Sequence, residues 1–345
     1  MKVAVVTNMV PFIRGGAEEL TTHLVHHLEE SGHLVDLVRL PFRWDPFSVV
    51  PAQIASAEQM RLDAADKVIA QKFPGYLVPH PNKTLWLMHQ FRQAYDLFGT
   101  QHTHVTESPD DRAIRDRIVE ADNAAFQASR TILTIAQTVS DRLLKHNGFA
   151  SEVLLTPMLD SGLFRRKEAE PYIFAGGRIN SMKRQALLIQ ALARTPPSVR
   201  LMIAGPPDDA KAAAELHRLA EELGVADRLS LDLRFAPREE IAELVNRATA
   251  CAYLPFEGDA VGYVTVEAAE AAKPVITTDD SGGVLELVKD GRTGWVVSPD
   301  VDSIADAMTA ALAKPRESDI RGTALHELWR SLDVSWPRTI ERLMA

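Results

Sequence analysis

Two basic side chains five residues apart, Arg178 and Lys183, stand in a polar stretch that follows Tyr172-Ile173-Phe174-Ala175 and the glycine pair Gly176-Gly177. If that apolar run is a strand, both cations lie beyond its carboxyl end, where open parallel sheets take up ligands, and two fixed positive charges suit a diphosphate. A solvated loop that happens to be basic would read the same. Further along, Asp259 and Glu267 stand eight positions apart in a turn-and-helix segment running from Leu254 to Ala268. A carboxylate at each end can accept hydrogen bonds from sugar hydroxyls, and the helix-start amides near Val261, Gly262, Tyr263 and Val264 offer donors to an anion. Near the start, Gly15-Gly16 follows the first apolar run. Such a pair lets an anion or a sugar approach the backbone, and it equally makes a plain strand-to-helix turn. His89 closes the run Thr84 to Met88, at a strand terminus where it meets a ligand or serves as a hydrogen-bonded structural histidine.

These residues need strands and helices to place them. Short apolar runs alternate with amphipathic stretches along the whole chain, the pattern of parallel sheets covered by helices on both faces. Strands are predicted at 3–6, 35–38, 67–70, 84–88, 131–135 and 153–155. Leu20, Leu24 and Leu28 recur every four residues in a helix that stops at Gly32. From Pro157 to Pro171 the text is polar and punctuated, as a linker between domains would be. The pattern then restarts, with strands expected at 172–175, 201–204, 229–233, 250–254, 274–277 and 295–297 and a helix over 185–192. The division is 1–160 and 161–332, two open α/β domains, with helical pieces at 320–332 and 337–344.

Composition excludes several classes. With 38 Lys and Arg against 47 Asp and Glu, the net charge is −9, which disfavours nucleic acid as the main partner. The excess is even, 15 basic and 19 acidic side chains up to residue 160 and 23 and 28 beyond it. One cysteine, Cys251, allows no intrachain disulfide and no multi-Cys zinc site. No run approaches the 18 or so apolar residues of a membrane helix, and the first apolar run reaches Asn8 too soon for a signal sequence. A cytoplasmic protein is expected, with peripheral contact at the inner face of the membrane left open.

Neither a G-x-G-x-x-G after the first strand nor a phosphate loop of the G-x-x-x-x-G-K-[ST] type is present. His23, His26 and His27 have helical spacing, but no accompanying zinc motif, and read as a partly exposed helix face. Asp208-Asp209 and Asp279-Asp280 are adjacent acids and do not form an Asp-x-Asp metal pair.

The combination resembles the large family of retaining, nucleotide-sugar-dependent group 1 glycosyl transferases, the bacterial mannosyl- and glucosyltransferase and sucrose synthase type. Their segment of two acids separated by seven residues is matched by Asp259 and Glu267-Ala268, followed by Lys273-Pro274-Val275, Gly282-Gly283, Glu286 and Asp290-Gly291-Arg292-Thr293-Gly294. Gly177-Arg178, Lys183 and Gly15-Gly16 match further family positions, so the likeness covers nearly the whole chain. It implies a GT-B fold, two Rossmann-like domains facing each other across a cleft, with the first on the acceptor side, the second binding the donor, and the C-terminal piece 333–345 packing back on the first. Trp336 would anchor that tail or simply belong to the core.

The resemblance also implies roles. Arg178 and Lys183 neutralise the donor diphosphate, Glu267 holds the ribose, Asp259 and His89 meet the transferred sugar, the amides of Val261 to Val264 line the phosphate site, and Gly15 and Gly16 let the donor come close. It implies same-face transfer to an acceptor hydroxyl without a metal or other cofactor, the acceptor being a glycan, a lipid-linked sugar or a small molecule. A phosphorylase, an epimerase or a binding protein without turnover shares the same fold. Three positions depart from the family: Asp259 replaces Glu, Val261 stands where a bulkier residue is usual, and Arg184 follows the lysine in place of glycine.

Overall fold

The computed structural model describes residues 1–11, 15–100, 102–256 and 260–345. Its elements are, in order, β1 (Lys2–Met9), α1 (Gly16–Glu30), β2 (Leu34–Pro41), α2 (Val50–Gln59), β3 (Lys67–Lys72), β4 (Lys83–His89), α3 (Pro109–Gln127), β5 (Thr131–Thr134), α4 (Gln137–Asn147) and β6 (Glu152–Val153). There follow β7 (Ile173–Gly176), α5 (Gln185–Leu192), β8 (Leu201–Ala204), α6 (Ala210–Glu222), β9 (Leu229–Asp232), α7 (Arg238–Arg247), β10 (Ala250–Ala252), α8 (Tyr263–Glu270), β11 (Val275–Thr278), β12 (Gly294–Val297), α9 (Val301–Ala313), α10 (Pro315–Ser331) and α11 (Trp336–Met344). The chain divides into two compact units, Met1–Leu159 with Ser335–Ala345, and Asp160–Val334.

The first unit carries a six-stranded parallel sheet in the order β2-β1-β3-β4-β5-β6. Val3 to Val6 and Val68 to Ala70 are buried residue after residue, because each face of these strands is covered and no alternation survives. Leu20, Leu24 and Leu28 form the buried stripe of α1. Helix α3 begins at Pro109 behind Ser108, whose side chain accepts from the Asp111 amide, so the first turn has both a cap and a residue that lacks the N–H it would leave unsatisfied. Helix α11 belongs to this unit. Its Trp336 is buried, donates its indole N–H to the Met158 carbonyl at 3.2 Å and stacks on His27 at 4.6 Å.

The second unit has the order β12-β11-β10-β7-β8-β9, again all parallel. Its core joins Ile173, Leu201, Ile203 and Ile276 of the sheet to Leu188 of α5, Leu216 of α6 and Met308 of α9. The polar stretch expected to link domains is tied to this unit from Asp160 onward. Asn246 accepts from the Arg165 amide at 2.7 Å, Lys167 pairs with Glu243, and the Glu170 amide reaches the Arg247 carbonyl at 2.7 Å.

Candidate active site

In the second sheet the strand order reverses between β7 and β10, and in the first between β1 and β3. At such a point the loops from neighbouring strands leave toward opposite faces and open a crevice beyond the carboxyl ends. Arg178 and Lys183 follow β7, and Val261 to Val264 and Glu267 follow β10, so these sequence-predicted residues flank one switch point.

The loop after β7 is held close to its neighbour. Gly205, with φ +151, lies so near Gly177 that a Cβ on it would sit 2.1 Å from the Gly177 carbonyl oxygen. The Ile179 amide reaches the Pro206 carbonyl at 2.9 Å and the Asp208 amide returns to Ile179 at 3.0 Å. Arg178 pairs with Asp208 at 3.3 Å and both are about 40% exposed, so the pair contributes little to stability and leaves the guanidinium accessible. Lys183 ends a 3-10 turn, Ser181–Lys183, capped by Asn180. Its ammonium donates to the Tyr253 hydroxyl at 2.6 Å and lies 4.9 Å from that ring's centre.

Tyr253 in turn fits only because Gly262 has no side chain, since a Cβ there would come within 2.5 Å of its ring. Gly262 has φ +77 and precedes α8, whose first turn holds Tyr263 and the buried Val264. The first N–H groups of a helix have no intrahelical acceptor, and the dipole there favours an anion. Val264 lies against Gly176 and Gly177, which brings the start of α8 to the end of β7. Val261 is buried; Asp259 lies outside the described residues.

Glu267 is only 3% exposed, and a buried carboxylate needs a partner. Arg238, at the start of α7, supplies it at 2.5 Å and also reaches Asp160 at 3.2 Å. The sequence reading missed Arg238, which no motif marks. It also missed what Arg184 does. With φ +53 this residue adopts the left-handed conformation that makes glycine usual here, and its guanidinium bonds both oxygens of Asp280. Burial pushes the Asp280 carboxyl up, but hydrogen bonds from Arg184 and Thr278 outweigh that and hold it below the ordinary range. Asp209, the neighbour of Asp208, caps α6 by accepting from the Ala212 amide.

The other site residues lie in the first unit. Gly15 caps α1 and its carbonyl accepts from the Glu18 and Glu19 amides, both at 3.1 Å. Gly16 opens the helix and is exposed. Lys72, opposite His89 in the sheet register, bridges to Glu18 at 3.4 Å. His89 is half-buried and its Nδ1 lies 2.6 Å from the Gln90 carbonyl. A carbonyl only accepts, so Nδ1 carries the proton and Nε2 is an acceptor. Burial and then the Lys72 cation push this ring down to about 4, further aided by Arg92 and Arg142 and opposed by the Gln90 bond. It is neutral at neutral pH. Among the described residues, the metal-ligating side chains that gather closely are His26, His27 and Glu30 on α1, none of which is a sequence-predicted site residue.

Over the whole chain, the fold is similar to that of sucrose-phosphate synthase from Thermosynechococcus elongatus, with TM-score 0.78, 17% identity and coverage of 99% of this chain and 97% of that one. It is also similar to Anabaena HepE in complex with UDP and glucose, with TM-score 0.75, 17% identity and coverage of 100% and 98%. The architecture is therefore GT-B. Residues 163–324 match the family model of group 1 glycosyl transferases. The chain is 29% identical over 302 residues to the D-inositol 3-phosphate glycosyltransferase of Mycolicibacterium smegmatis, covering 79% of this chain and 67% of that protein. To the enzyme of that name from Mycobacterium bovis it is 33% identical over 178 residues, 49% of this chain and 35% of the other. The likeness to group 1 glycosyl transferases thus rests on the second unit, and the fold of the whole chain is that of GT-B proteins.

Proposed function

We propose that the chain moves a sugar from a nucleotide-diphosphate sugar to an acceptor hydroxyl with retention of configuration. The observation that supports this best is the grouping at one switch point of Arg178, Lys183, the start of α8 and the buried Glu267. In this reading the two cations and the first-turn amides of α8 take the charge that develops on the departing diphosphate, and Glu267 accepts from the ribose diol. Fixed donors in a site sheltered from water act far more strongly than in bulk solvent. The acceptor attacks on the face the leaving group vacates, and a phosphate oxygen takes its proton, so no protein nucleophile is required. His89, neutral with Nε2 as acceptor, suits a hydroxyl of the transferred sugar, as Asp259 does by its place in the motif.

Protein cations do here what a metal does in other transferases, and turnover should survive a chelator. The protein works in the cytoplasm, with peripheral membrane contact if the acceptor is lipid-linked. HepE is described with UDP and UDP-glucose, and the mycobacterial relatives are named for D-inositol 3-phosphate. UDP-sugars and cyclic polyol phosphates are thus the donors and acceptors to try first.

The test is a thermal-shift and calorimetric screen of UDP, GDP and ADP and their sugars, followed by product analysis with candidate acceptors. A ligand at about 100 times its dissociation constant should add roughly 2.7 kcal/mol of apparent stability. An anomer opposite to the donor's would refute retention. Sugar released onto phosphate would instead indicate a phosphorylase, and an epimerised donor an epimerase.

A further inference from the structure

We propose that Arg184 and Asp280 form a clamp that positions Lys183 and the strand ends around it for binding a nucleoside diphosphate, an inference that rests on Lys183 being a diphosphate cation. Arg184 occupies a backbone conformation, φ +53 and ψ +35, in which glycine carries no penalty. A turn alone would be served better by glycine, so the side chain must account for the residue. That side chain joins three segments. Nε donates to the Leu254 carbonyl at 2.7 Å and Nη2 to the Pro255 carbonyl at 3.0 Å, just beyond β10. Nη2 also reaches the Thr278 hydroxyl at 2.9 Å at the end of β11. Nη1 and Nη2 take the two oxygens of Asp280 at 2.9 and 2.7 Å, a planar fork-to-fork pairing that lysine cannot copy.

The rest of the clamp is equally specific. Thr278 donates to Asp280 at 2.7 Å, so the carboxylate is held from two sides. The Phe256 amide reaches the Met182 carbonyl at 2.7 Å, and the Phe256 ring lies 5.7 Å from the guanidinium carbon. The turn carrying Lys183 is thereby fastened to the exits of β10 and β11. Lys183 then meets Tyr253 on the same β10 exit. Lysine is a flexible point charge, and a clamp on the adjoining residue fixes the origin from which it reaches.

Calorimetry with the tightest-binding of UDP, GDP and ADP tests this on Lys183→Ala, Arg184→Gly, Arg184→Lys, Asp280→Asn and the double variant Arg184→Gly with Asp280→Asn. Arg184→Gly and Asp280→Asn should each weaken binding about tenfold, within the range of coupled neighbours, and the double variant should lose no more than either alone. Arg184→Lys should fall between wild type and Arg184→Gly. Unchanged affinity in Arg184→Gly, or additive losses in the double variant, would overturn the clamp while Lys183→Ala still loses binding. Unchanged affinity in Lys183→Ala would instead overturn the diphosphate reading on which the clamp rests. A lowered melting temperature with wild-type affinity in the folded fraction would reduce Arg184 to a structural tie and also overturn the proposal.

Discussion

Arg238 Nη1 lies 2.5 Å from Glu267 Oε1, joining the first residue of α7 to a carboxylate that is almost wholly buried in α8. They stand 29 positions apart in the chain. One oxygen of Glu267 is thereby spent on orientation, and the proposed ribose contact falls to the other.

Arg238→Met should therefore act in two ways. Leaving a buried charge without its partner costs about 3 kcal/mol or more, and the unheld carboxylate should bind nucleoside diphosphate less well. Denaturant melts and calorimetry measure the two effects separately. Glu267→Gln should weaken nucleotide binding with a smaller loss of stability.

Arg178→Ala and Lys183→Ala should each reduce turnover by about 10² to 10³, the usual loss for a transition-state charge partner. Circular dichroism and melting temperature should stay close to wild type, because neither side chain is buried in a core. Full activity in either variant would remove it from the site.

Gly262→Ala places a Cβ 2.5 Å from a ring carbon of Tyr253 at φ +77. Overpacking of this kind costs about 1 to 3 kcal/mol, and here it displaces the hydroxyl that meets Lys183. Nucleotide affinity should fall in the folded protein, whereas Gly148→Ala, which meets open space at the same φ of +77, should cost stability alone. Equal affinities in the two variants would dissociate Gly262 from the site.

Asp259 is tested by Asp259→Asn. If its carboxylate meets the transferred sugar, nucleoside diphosphate affinity should persist while turnover drops. If it serves the local fold alone, melting temperature falls and the kinetic constants per folded molecule stay put.

Asp122 gives a pH signature in the first unit. It is fully buried, accepts from the Tyr95 hydroxyl at 2.7 Å, and burial pushes its carboxyl up to about 7, against the lowering effect of the Tyr95 bond. The folded state then holds a proton that the unfolded chain releases near 3.8. Its contribution is complete below that value and is lost as pH rises through about 7. The stability advantage of wild type over Asp122→Asn should shrink across that interval, and a pH-independent difference between their melting temperatures would show that Asp122 does not titrate there.

Much of this molecule is local and could be read along the chain. Buried parallel strands are short apolar runs, and α1 is a leucine every four residues. The start of α8 is a glycine with helical text behind it. The positions of Arg178, Lys183 and Glu267 were legible because a strand end, a few residues of loop and a helix start follow one another in sequence. What the sequence could not supply is which strand lies beside which. The order β10-β7-β8 sets the exit of β10 against that of β7, and only then does Tyr253 meet Lys183 across 70 positions. Arg184 finds Asp280 across 96 positions and Arg238 finds Glu267 for the same reason. Side-chain type and spacing determine what a segment can do alone; the partner of a buried charge is chosen by the packing that removes water from both, and that choice exists only once the sheet has formed.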